Sequence, residues 1–135
     1  MTYELILVTY MAIITWLLLF VAAIIRTRAW TVEGVKRGFG NRENLPEKTK
    51  LSGRADRAAQ NTLENFIIFF ALVSIAHLGK IASPEVVKGA EIFFWARVVY
   101  IPVYLIGIPY LRTILWVIGV VGLVIIAKKI ITSYS

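Results

Sequence analysis

The sequence predicts an all-α integral membrane protein whose protomer is a four-helix bundle, and three observations carry that prediction. Of the 135 residues 59% are hydrophobic, and mean hydropathy is positive. A soluble domain this short has too little interior to hide so much apolar surface, so lipid must cover the rest. The apolar residues fall into four runs, Leu5 to Ile25, Ala58 to Leu78, Gly89 to Ile108 and Leu111 to Ile131. Each is close to the roughly 20 residues that an α-helix needs to cross a hydrocarbon core of about 30 Å. Finally, nine of the 15 Lys and Arg lie between Arg26 and Arg57, in and just after the first connection. That asymmetry makes the net charge of +7 a membrane address rather than a nucleic-acid footprint.

The elements follow in order. The first helix, about 5–28, lacks the basic start of a secretory signal and runs straight into Arg26 and Arg28, which makes it a retained span. Residues 29–53 form a basic connector holding four of the nine glycines and Pro46, where continuous helix is not expected. Its GFGN is no phosphate loop, because no Gly-Lys-Ser/Thr follows and no strand precedes it. The second span, about 54–78, opens on RADRAAQNTLENF. Pro84 suits the first turn of the third, about 86–108. The fourth, about 111–131, follows Pro109 and Tyr110 so closely that the last two helices must be antiparallel neighbours. The positive-inside tendency places the connector in the cytoplasm and both termini across the membrane.

Polar residues inside these spans are the candidate site. At about 100° per residue, Arg54, Arg57, Asn61, Glu64 and Asn65 share one wedge of about 100° on the second span. On the third, Arg97, Tyr100 and Tyr104 share a face about 60° wide. An arginine at that depth costs at least about 2.5 kcal/mol on insertion scales, so it must point into the bundle toward a partner. Glu64 lies at a similar depth and is the expected one. Arg112 and Thr113 open the fourth helix at the cytoplasmic boundary. A cation beside unpaired backbone N–H groups and a hydroxyl suits a thiolate or other developing negative charge.

Two readings stand on the residues alone. Arg97, Glu64 and Asn61 lock helices together as a buried polar network, or the excess of Arg26, Arg28, Arg54, Arg57, Arg97 and Arg112 over Asp56 and Glu64 receives an anion, best a small polycarboxylate. With no cysteine and one histidine, His77 near the far end of the second span, no metal or haem constellation can be assembled. Glu91 lies about 120° from Arg97 on its helix and stays outside the site.

RADRAAQNTLEN resembles the second-helix signature of the MAPEG superfamily, membrane-associated proteins in eicosanoid and glutathione metabolism. RVVYIPVYLIGIPYLRT is similar to its passage from third to fourth helix, and the connector is similar to that of bacterial members. The resemblance implies a homotrimer, with sites between protomers opening to the cytoplasm, in the inner membrane of a bacterium. It implies glutathione as co-substrate, with no metal, and a lipophilic electrophile or lipid hydroperoxide arriving from the bilayer. Arg112 would activate the thiol with help from Thr113. Asn61, Glu64, Arg97, Tyr100 and Tyr104 would frame the tripeptide, with Arg54, Arg57 and either Arg26 or Arg28 adding positive charge. Gln60 stands where several eukaryotic members carry a basic residue, and Tyr100 where some carry histidine. A non-catalytic protein binding a lipid or acidic metabolite is the alternative implied.

Overall fold

The computed structural model describes all 135 residues as five helices and no strand: α1 (Tyr3–Thr27), α2 (Val32–Phe39), α3 (Lys50–Leu78), α4 (Pro84–Ile106) and α5 (Pro109–Ser133). α1, α3, α4 and α5 are each long and apolar enough to cross a membrane. Their ends are written in local chemistry. α1 stops where Arg28 turns left-handed at φ 56°. The hydroxyls of Thr49 and Ser83 accept from Ser52 N and Glu85 N to start α3 and α4, the second with Pro84 in its first turn. Gly107, at φ 91°, ends α4. Few other residues tolerate that backbone, so the chain can reverse there and begin α5 at Pro109.

Two features depart from the sequence reading. α3 begins at Lys50, a full turn before Arg54, because Thr49 caps a polar first turn that hydropathy does not register. The connector also contains a helix, α2, despite Gly34 and Gly38. Thr31 caps it by accepting from Gly34 N at 2.9 Å. Gly34 is buried against the Thr27 and Arg28 carbonyls, where a side chain would collide, so the glycine that weakens α2 also lets it dock on the end of α1.

α3 packs against α1, α4 and α5, and α4 against α5. Two apolar clusters fill the bundle. One includes Leu7, Met11, Val73 and Ile126, with the Phe69 and Phe93 rings stacked 4.4 Å apart. The other, nearer the connector, joins Leu18 and Ala22 of α1 to Ala55, Ala58 and Ala59 of α3 and Tyr100 and Tyr104 of α4. The small alanines bring three helices close at the level where the polar residues sit. Outward-facing Phe20, Ile67, Trp95, Ile114 and Val124 are exposed, as expected where lipid or another protomer provides the cover.

Candidate functional site

α3, α4 and α5 converge on a cleft of about 210 Å³ lined by Asn61, Tyr100, Arg112, Thr113 and Trp116. Asn61 and Tyr100 come from the inward faces of α3 and α4. Arg112, Thr113 and Trp116 come from the first two turns of α5, whose N-terminus brings unpaired N–H groups to the same rim. Trp116, two turns into α5, was not among the sequence candidates. The structure places it in the wall.

Behind the lining stands Arg97, 1% exposed and among the largest fully buried side chains. Its Nη2 donates to Asn61 Oδ1 at 3.0 Å and to Thr62 Oγ1 at 2.7 Å. Its guanidinium carbon sits 3.9 Å from the centre of the Tyr100 ring, while Nε and Nη1 have no hydrogen-bond partner. Asn61 also receives Asn65 Nδ2 on its backbone carbonyl at 2.9 Å. The buried arginine therefore grips two of the cleft's walls from behind without entering it.

The expected ion pair between Arg97 and Glu64 is absent. Glu64 is exposed and accepts from Gln60 Nε2 at 3.1 Å, while Arg97 bonds to the neighbouring face of α3. The depths matched, but the bearings did not. Glu64 lies about 60° to one side of Asn61 and Thr62 about 100° to the other, and α4 packs on the Thr62 side. Thr62, fully buried, is the Arg97 partner that sequence reasoning missed. Its signal was a hydroxyl next to Asn61, about 60° beyond the edge of the counted wedge.

The remaining cations lie around the cleft or away from it. Arg112 places its guanidinium 4.7 Å over the Tyr104 ring. Arg57 Nε donates to the Tyr104 hydroxyl at 3.3 Å, so one tyrosine holds two arginines by its two ends. Arg54 Nη1 reaches the Ile106 carbonyl at 3.4 Å, the negative end of α4. Arg26 is elsewhere. It donates to the Pro46 carbonyl and lines a separate cleft of about 290 Å³ between α1 and α3, with Asp56 and Gln60. Arg28 is exposed at the end of α1. The Thr113 hydroxyl donates back to the Pro109 carbonyl at 3.2 Å, so its proton is engaged within α5.

No carboxylate forms an ion pair with Arg57, Arg97 or Arg112; the two ion pairs are Lys48 with Asp56 and Lys129 with Glu85. The cleft is thus a cationic recess with amide, phenol and indole walls, suited to a small anion with an apolar part. No group of three or more His, Cys, Asp or Glu gathers to hold a metal ion.

The family model described as MAPEG family matches residues 5–132, nearly the whole chain. No curated protein and no solved structure matches it.

Proposed function

The chain belongs to the MAPEG family, of membrane-associated proteins in eicosanoid and glutathione metabolism, and from that premise we propose that it is a glutathione-dependent transferase or peroxidase. The observation that carries the proposal is the cleft of Asn61, Tyr100, Arg112, Thr113 and Trp116, backed by arginines with no acid to neutralise them. Glutathione brings two carboxylates for those cations and the thiol that a cysteine-free chain lacks. Arg112, at the N-terminus of α5, stabilises the thiolate, while Asn61, Tyr100 and the Arg97 behind them hold the tripeptide.

In conjugation the thiol proton passes to water, the sulfur bonds to an electrophilic carbon and a leaving group such as chloride departs. With a lipid hydroperoxide the sulfur attacks the outer oxygen, the O–O bond breaks and the lipid alcohol leaves. A second glutathione then converts the sulfenic acid to disulfide and water.

The assembly belongs to the same proposal. Arg57, Gln60 and Glu64 form an exposed polar stripe about 60° wide on α3, reaching into the span. Polar groups at that depth are costly against hydrocarbon. They fit a contact between protomers of a homotrimer, in which Arg26 or Arg28 of a neighbour reaches the cleft, with the connector on the cytosolic side.

The test is titration of the purified, detergent-solubilised protein with glutathione, reading thiolate absorbance and conjugation of a chlorodinitrobenzene. Saturable thiolate formation that Arg112→Ala abolishes is the expected result; no thiolate and no product in the wild type would refute the reading. A second reading, binding of a lipid or acidic metabolite without turnover, is favoured by the Thr113 hydroxyl being engaged within α5. Co-purified ligand identified by mass spectrometry, with no thiol-dependent product, would establish it.

A further inference from the structure

We propose a second binding site, for the acyl chain of an anionic phospholipid from the surrounding bilayer, in the groove between α1 and α2. The groove has a volume of about 330 Å³, and its walls are mainly apolar, with Phe20, Ala23 and Ile24 on α1 and Val35 and Phe39 on α2. Arg42 stands at its end. That is room for a stretch of one chain, not for a whole lipid, so the remainder of the molecule stays in the leaflet.

The placement of α2 is what gives the groove a lipid to hold. Docked through Gly34, and tied by Arg37 Nε donating to the Thr27 carbonyl at 3.2 Å, α2 lies back along the last two turns of α1. Its apolar residues are therefore at the level where α1 leaves the hydrocarbon. Val32, Val35 and Phe39 recur at i, i+3 and i+7 on one face, and Trp30 precedes them; Phe39 is 91% exposed and Trp30 67%. Such an apolar stripe at the end of a span is the pattern of a helix lying in the interface.

Charge selects the class of lipid. Arg42 lines the groove, Lys36 and Arg37 are carried by α2 itself, and none of the three is in an ion pair. Arg42 Nε makes one long bond, 3.4 Å to the Gly38 carbonyl, and the residue is otherwise exposed. Its remaining N–H groups are free to meet a phosphate carrying net negative charge. The site shares no lining residue with the cleft of Arg112 and does not depend on the reaction proposed there.

The experiment is native mass spectrometry of delipidated protein offered dioleoylphosphatidylglycerol or dioleoylphosphatidylcholine at equal concentration. Gly38→Leu is the blocking variant, since a Cβ there meets nothing nearer than the Thr27 hydroxyl at 4.0 Å and the longer side chain fills the groove. Wild type is expected to retain one phosphatidylglycerol per protomer in preference to phosphatidylcholine. Gly38→Leu should lose it. Arg42→Gln, a surface change that leaves the groove open, should weaken phosphatidylglycerol binding about fivefold and leave phosphatidylcholine unchanged. Equal retention of both lipids by wild type, or no change in Arg42→Gln, would overturn the proposal. Glutathione titration of each variant should match wild type, which separates this site from the other.

Discussion

Arg97 of α4 and Thr62 of α3 meet at 2.7 Å, a fully buried guanidinium held by a hydroxyl where a carboxylate would be the usual partner. A hydrogen bond to a charged group contributes about 1.5–3 kcal/mol, and its loss in a dry interior leaves the donor stranded. Thr62→Val is expected to destabilise the bundle by about 2 kcal/mol in detergent unfolding. A double-mutant cycle of Arg97→Leu with Thr62→Val should give a coupling of about 1–3 kcal/mol. The same cycle with Glu64→Leu should give nearly none. Coupling to Glu64 comparable with that to Thr62 would contradict the geometry.

How far the sequence made this legible depended on what kind of signal each feature left. Hydrophobic length located four spans, and Pro109 with Tyr110 marked the reversal between α4 and α5, because bilayer thickness and a proline's fixed φ act locally. The first turn of α3 and the whole of α2 were not legible. Lys50 to Gly53 is too polar to register as a span, and α2 exists through the docking of Gly34 on a carbonyl far from any periodicity. At the site, counting turns gave the right depth for an Arg97 partner on α3. It could not give the rotation of α3 about its own axis, which packing decides, and that rotation exchanges Glu64 for Thr62.

Tyr104 offers its ring to Arg112 and its hydroxyl to Arg57, and substitution can separate the two. A cation over an aromatic face contributes about 0.5–2 kcal/mol. Tyr104→Leu should therefore loosen Arg112 and weaken glutathione binding roughly threefold to thirtyfold. Tyr104→Phe keeps the ring and should stay within about threefold of wild type. Isothermal titration with glutathione checks both, and equal losses would mean that the hydroxyl, not the ring, matters.

Thr113 gives a sharper contrast with expectation. Family resemblance assigns its hydroxyl to the thiol, yet the proton is donated to the Pro109 carbonyl. Thr113→Val conserves shape and removes one exposed side-chain bond, worth about 1 kcal/mol or less. Conjugation rates of Thr113→Val are expected within about fivefold of wild type, against a loss of at least about a hundredfold for Arg112→Ala, the scale of a removed transition-state charge stabiliser. A hundredfold loss in Thr113→Val would show that the hydroxyl turns inward during turnover.

The position of α5, and with it of Arg112, rests on two glycines that allow α4 and α5 to touch. A methyl group at Gly122 would sit 2.6 Å from the Gly89 carbonyl oxygen and 2.8 Å from the Phe93 amide nitrogen. Both are backbone atoms within helices and cannot swing aside, so the helices must part. Overpacking of this kind costs about 1–3 kcal/mol, which outweighs the gain of up to about 1 kcal/mol from replacing a helical glycine by alanine. One turn earlier, a methyl at Gly119 would find its nearest neighbours at 3.8 Å, ordinary contact. Gly122→Ala should therefore lower the unfolding midpoint and weaken glutathione binding together, as α5 carries Arg112 away from Asn61. Gly119→Ala should leave binding intact and match or exceed wild-type stability. Thermal unfolding followed by circular dichroism, run beside the glutathione titration, distinguishes the two; equal behaviour of both variants would remove the glycine contact as the reason Arg112 is where it is.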